Sequence, residues 1–248
     1  MLKNNKISFL LDTSRGFNSN TVLPPEPCVS LLPEWFKSME PVPPGFKKVK
    51  LLDDGNTSFT IKKCFPFRDS LSLGYFILLN CDVEISERSP EESVMLLDRK
   101  IGPKIIWRNG VPGPIDLHDE RQVYNVEVGS EFYKIPYKFI NNFSIKTPKG
   151  YSCLITHPLN RTDLPFHTLS AVVETDIYNG VINFPFLLKN NFTGILKRGT
   201  PIAQIIPFKR DSWTKNVKDS SESTDEDMLL RLEISRYSKK IWKRKDFK

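Results

Sequence analysis

Tyr151-Ser152-Cys153-Leu154-Ile155-Thr156 and Ile202-Ala203-Gln204-Ile205-Ile206-Pro207-Phe208 decide the fold. Each is a short run rich in β-branched and apolar residues, too brief for a helix, with a turn-forming glycine ahead of it at Gly150 or Gly199. Outward from these two runs the same texture recurs at 58–65, 71–85, 94–97, 123–128, 132–139, 169–173 and 181–188. Gly, Pro, Asn or Asp punctuates nearly every gap, and helical periodicity is absent throughout. The gaps look too short for the crossovers that parallel strands require. The reading is a mainly β body, an antiparallel sandwich or distorted barrel.

The flanks differ from this body. Residues 24 to 44 hold seven prolines, so that stretch cannot be a continuous helix or a central strand. Within it Leu31-Leu32-Pro33-Glu34-Trp35-Phe36 is apolar enough to pack on something. After Arg210 a polar stretch leads to Ser223-Thr224-Asp225-Glu226, which reads as a capping box. Leu230, Ile234, Tyr237 and Ile241 then recur at helical spacing, with basic residues in the last turns. The expected organisation is a proline-rich arm over 1–56, a β-domain over 57–210, a polar linker over 211–226 and an amphipathic helix over 227–245.

Composition bounds the class. The chain has 248 residues, 39% of them hydrophobic, which is ample for a core and excludes disorder throughout. No apolar run approaches the ~18 residues of a membrane span. The block Ile7-Ser8-Phe9-Leu10-Leu11 is shorter than the ~7 to 15 residues of a signal-peptide core, so the expected location is the compartment of synthesis, with no membrane partner. The net charge of +7 permits contact with an anionic surface. Lys239, Lys240, Lys243, Arg244 and Lys245 crowd around Trp242, a pattern that suits nucleic acid and equally suits a helix docking one aromatic on its own domain; docking is the favoured reading.

Few residues suggest chemistry. Cys28, Cys64, Cys81 and Cys153 show no paired or ligand spacing, so neither a disulfide framework nor a zinc site is expected. His157 and His167 lie ten positions apart with Asp163 between them; two histidines and a carboxylate could hold a metal, but hydrogen-bonded turn residues explain the pattern as well. No metal or cofactor is assigned. Glu174 and Asp176 stand two apart after an apolar run, where a continuing strand would put both on one face. They could orient a water or simply mark a strand end, and the turn at Tyr178-Asn179-Gly180 favours the strand end.

Motifs across 144–210 carry a resemblance. Ser144-Ile145-Lys146-Thr147-Pro148-Lys149-Gly150-Tyr151-Ser152 is followed by His157-Pro158-Leu159-Asn160-Arg161 and Asp163-Leu164-Pro165-Phe166. Val172-Val173-Glu174-Thr175-Asp176, Asn183-Phe184-Pro185-Phe186 and Gly199-Thr200-Pro201-Ile202-Ala203-Gln204 follow, with Thr60-Ile61-Lys62-Lys63-Cys64 and Gly74-Tyr75 upstream. Over roughly residues 33 to 213 the chain resembles an uncharacterised protein family of T4-like marine tailed phages with bacterial relatives. That resemblance implies a phage or phage-like source, in the host cytoplasm or the virion.

More distantly, Pro148-Lys149-Gly150-Tyr151, the acid before Tyr178-x-Gly180 and Gly199-x-x-Ile202-Ala203-Gln204 are similar to the dUTPase and dCTP deaminase superfamily. This similarity implies a distorted antiparallel β-barrel, often trimeric. By position Glu174 would orient the attacking water, Tyr178 would pack on the sugar, and Gln204 would match the motif glutamine. The Arg-Ser pair of that superfamily is replaced by His157-Pro158-Leu159, Thr200-Pro201 stands in place of its Asp-Arg pair, and its glycine-rich C-terminal arm is missing. Without that charge stabilisation, phosphoryl chemistry loses its main support.

The expected function is therefore non-catalytic binding or assembly, with self-association and other phage proteins as partners. The alternatives are a nucleotide- or small-molecule-acting hydrolase, with Glu174 and Asp176 as catalytic candidates, and nucleic-acid binding through the basic C-terminal residues. Candidate ligand-binding residues are His157, Arg161, Asp163, Tyr178 and Gln204.

Overall fold

The computed structural model describes residues 5–45, 59–87, 102–107, 113–217, 242–243 and 245–247. Among these, fourteen strands run in chain order as β1 (Ser8–Leu11), β2 (Glu26–Pro27), β3 (Tyr75–Leu78), β4 (Val83–Ser86), β5 (Lys104–Trp107), β6 (Ile115–Leu117) and β7 (Tyr137–Phe139). They continue as β8 (Phe143–Lys146), β9 (Tyr151–Thr156), β10 (Phe166–Thr168), β11 (Ala171–Val173), β12 (Phe184–Leu188), β13 (Gly194–Leu196) and β14 (Pro201–Lys209). Two short helices join them, α1 (Glu34–Ser38) and α2 (Phe65–Ser72).

Every strand pairing is antiparallel. The strands form sheets ordered β11-β9-β14-β3-β2, β10-β12-β7-β6, β13-β4-β5 and β1-β8, with no closed barrel among the described residues. The mainly β, antiparallel reading therefore holds, in the form of several sheets packed together.

β9 and β14 form the centre of the five-stranded sheet, and their alternation explains its two faces. Cys153 and Ile155 on β9, with Ala203 and Ile205 on β14, point into the main core and are almost wholly buried. From the facing four-stranded sheet come Phe139, Phe166 and Phe186; Phe139 and Phe186 stack at 3.9 Å between ring centres and 14° between planes. The opposite face of the five-stranded sheet takes Gln204 and Phe76, which α2 and the segment around Cys28 cover.

Three expected strands are corrected. Of the strand expected over 58–65, Ser58 lies outside the described residues and 59–65 form none: Ile61–Lys63 is a 3-10 turn and Phe65 opens α2. Pro66 lacks the amide a ladder needs and fits the first turn of a helix, and Leu71, four residues after Phe67, is buried. Helical structure thus interrupts a body whose sequence lacks helical periodicity. Residues 123–128 also form no strand. Asn125 takes a positive φ of 62°, and Tyr124 and Val126 are exposed, so no face of that run is buried. Within 71–85, the end of α2 at Leu71 and Ser72 and then two strands with a connecting loop replace one continuous run. The strand expected at 94–97 lies outside the described residues.

Of the arm expected over 1–56, β1 pairs with β8 and β2 with β3. α1 follows Pro33 and buries Phe36, and both Trp35 and Phe36 lie against Phe67 of α2. Of the helix expected over 227–245, residues 227–241 and Arg244 lie outside the described residues. Trp242, Lys243 and Lys245 are described and stand in no helix. Trp242 nevertheless docks on the body: its Nε1 donates to Asp69 at 3.0 Å, and its ring lies 4.9 Å from that of Phe65.

Candidate functional site

The expected ligand residues separate into two places at opposite ends of β9. His157 and Arg161 follow its C-terminal end and line a cavity of about 350 Å³ with His167 of β10 and Lys189, which follows β12. Glu174, Asp176 and Tyr178 follow β11, whose Val173 pairs with Cys153 near the start of β9. From Cys153 to His157 the chain runs four residues, about 13 Å at ~3.3 Å per residue, and the acids lie beyond Val173, farther still. A single site using both is not assembled within this chain.

The cavity is shaped by a tight turn over 157–164. Its backbone bonds run from Arg161 N–H to the Pro158 carbonyl and from Leu164 N–H to the Arg161 carbonyl. Asn160 takes a left-handed φ of 58°, which asparagine tolerates, and its Nδ2 donates to Ser70 Oγ of α2 at 2.6 Å. The His157 ring is fixed at both nitrogens. Nδ1 accepts from the Thr168 N–H at 3.3 Å, so Nε2, 3.1 Å from the Arg161 carbonyl, carries the hydrogen. Burial pushes the pKa of His157 down to about 4, and the ring is neutral at neutral pH.

His167 faces this ring at 4.8 Å between centres and is also pushed below the usual histidine value by burial. Arg161 grips Asp163 through Nε and Nη2, each at 2.8 Å. Burial acts to raise the Asp163 pKa, but the bonds and charge of Arg161, with a further bond from Trp35, hold it below the ordinary range. Lys189 Nζ donates to the Thr162 carbonyl at 3.2 Å. Phe132, Leu159, Leu164 and Phe166 supply apolar lining, while Arg161 and Lys189, the cations of the lining, are each bonded within the turn. With His157 committed at both nitrogens, the pair of histidines and Asp163 does not form a metal site; among the described residues no three His, Cys, Asp or Glu side chains are grouped to hold one.

At the other end of β9, the acids mark a strand end. β11 stops at Val173, and the backbone turns through hydrogen bonds from Ile177 and Tyr178 to the Glu174 carbonyl. Asp176 accepts from the Gly150 N–H at 2.8 Å and from Arg210 Nη1 at 2.8 Å. The Arg210 bonds, then that of Gly150, pull its pKa down to about 2. Tyr178 is 49% exposed and lies over Gly180.

Gln204 is buried behind the 157–164 turn and does not line the cavity. Its Oε1 accepts from Leu159 N–H at 2.8 Å, and its Nε2 donates to the carbonyls of Ser70 and Leu73 at 3.0 and 2.6 Å. It thereby ties β14, α2 and the 157–164 turn together. Of the basic candidates, Lys239, Lys240 and Arg244 lie outside the described residues, Lys243 is exposed, and Lys245 bonds to Asp69.

Lys189 and Arg210 escaped sequence reasoning. Neither sits in a recognisable spacing; each follows directly on a strand end, and only strand pairing brings it to its partners. No protein-family model matches the chain, and no curated protein matches it.

Proposed function

We propose that the chain is a non-catalytic binding or assembly protein of the tailed-phage family it resembles, acting by self-association in the host cytoplasm or the virion. One observation carries this reading. β11 is an edge strand of the five-stranded sheet, and on it and the following turn Val172, Ile177 and Tyr178 are 63%, 66% and 49% exposed. Among the described residues no strand pairs with that outer edge, and an open edge beside exposed apolar side chains is the kind of surface that a second copy covers. Of the two catalytic candidates for the hydrolase alternative, Asp176 is committed to Arg210 and Gly150, which speaks against it as a base.

Sedimentation velocity of the purified protein tests the reading. The expected result is a defined oligomer that Val172→Lys and Ile177→Asp dissociate. A wild-type monomer at every concentration overturns self-association. Turnover of dUTP or dCTP that Glu174→Ala abolishes would replace the reading with the hydrolase. Nucleic-acid binding that falls steeply with salt, and is lost on truncation at Asp227, would replace it with the third.

A further inference from the structure

We propose that a second cavity, between the two ends of the described chain, is a binding site for a neutral planar heteroaromatic molecule; this is independent of the assembly reading. The cavity holds about 780 Å³, within the range of small-molecule sites. Its floor is a feature of strand register. Ile205 pairs with Tyr75 and Lys209 with Tyr151, so Tyr75, Pro207 and Tyr151 lie on one face of three neighbouring strands. That is the face that carries Ile205 into the main core, and the floor continues it to an opening.

Asn5–Ile7, Thr147, Pro148, Asp246 and Phe247 complete the lining. The rings are set before any ligand arrives. Phe247 meets Tyr75 edge-on at 5.8 Å and 89°, and Phe9 meets it at 5.4 Å. Asn5 Nδ2 donates to the Tyr151 hydroxyl at 2.6 Å. Trp242 and Lys245, both bonded to Asp69, anchor the chain just ahead of Phe247.

Aromatic and proline rings favour a flat ligand, and fixed rings cost it little ordering. Lys6 and Asp246 contribute one charge of each sign to the lining, which favours a neutral molecule; Asn5 and Lys6 offer its edges hydrogen bonds.

The test titrates the full-length protein with adenine and quinazoline, using cyclohexanecarboxamide as a non-planar control, by calorimetry and ligand-observed NMR. Adenine and quinazoline are expected to bind saturably and to compete. Phe247→Ala and Tyr75→Leu should each weaken both by roughly three- to tenfold, the worth of one aromatic contact. Tyr124→Ala, on an exposed loop, should not change binding. Absence of saturable binding by either planar compound, equal binding of the control, or undiminished binding in both variants overturns the proposal. Unchanged melting of Phe247→Ala separates a lost contact from a lost fold. A monomer that binds adenine would refute self-association and leave this site standing.

Discussion

Arg210 grips Asp176 through a two-pronged contact, Nη1 to Oδ1 at 2.8 Å and Nη2 to Oδ2 at 2.5 Å, and so joins the end of β14 to the turn after β11. The same Nη1 also reaches the Tyr151 carbonyl and Ser152 Oγ, each at 3.0 Å. One guanidinium therefore holds three neighbouring strand ends, and the carboxylate beneath it serves structure.

This gives Asp176 a pH signature. Its folded pKa of about 2 lies below the unfolded aspartate value of roughly 3.9, so its contribution is complete above that unfolded value and is lost as pH falls through the folded one. Asp176→Asn should lower the denaturation midpoint at pH 7. The gap to wild type should narrow from about pH 4 and close near pH 2. Denaturant titrations at several pH values measure it; a gap independent of pH would mean the carboxylate charge does not matter there.

Gln204→Leu should cost about 2–3 kcal/mol, because it leaves the carbonyls of Ser70 and Leu73 and the Leu159 N–H without their partner in a buried place. Urea unfolding checks this. A near-neutral Gln204→Leu would show that the three backbone groups find water, and that α2 is not held by this amide.

How far the sequence could be read depended on which physical rule set each element. β9 and β14 were legible because both are short apolar, β-branched runs with turn glycines ahead of them. α2 was not, since Thr60 to Phe65 has strand-like composition and only Pro66, followed by tertiary packing of Leu71, selects a helix. β1, β5, β6, β8 and β13 are three or four residues long, below what composition alone can single out. In the site, the strand-end position of Glu174 and Asp176 was legible. Lys189 and Arg210 were not, because antiparallel register alone brings them to their partners, and register depends on residues far apart in sequence.

Gly74→Ala should destabilise by about 2–4 kcal/mol, the sum of a left-handed backbone and an overpacked contact. Gly74 has φ +79°, and a Cβ there would stand 2.1 Å from the Ile205 carbonyl oxygen, which is backbone at the centre of the sheet and cannot swing away. Its own carbonyl accepts from the Cys28 N–H at 3.0 Å, so a shift of Gly74 would disturb the junction of β2 and β3 as well. Gly150 makes the contrast. It has φ +87° with nothing near its missing Cβ, so Gly150→Ala should cost only the backbone part, about 1–2 kcal/mol. Thermal melts of the two variants test the difference, and equal losses would remove the close-contact explanation.

His157 should make the fold sensitive to mild acid. Its neutral ring accepts from Thr168 at Nδ1, a bond that protonation abolishes, and burial leaves the imidazolium without its hydration. The folded pKa of about 4 lies below the unfolded value of roughly 6.5, so between these two pH values the unfolded chain binds the proton more readily. Stability should therefore fall as pH drops from 6.5 towards 4, with His167, also depressed by burial, adding in the same direction. His157→Gln cannot take up that proton. Its stability should be lower at pH 7 and flatter across the window, and a wild type as flat as the variant would place the His157 pKa near its ordinary value and the ring in contact with water.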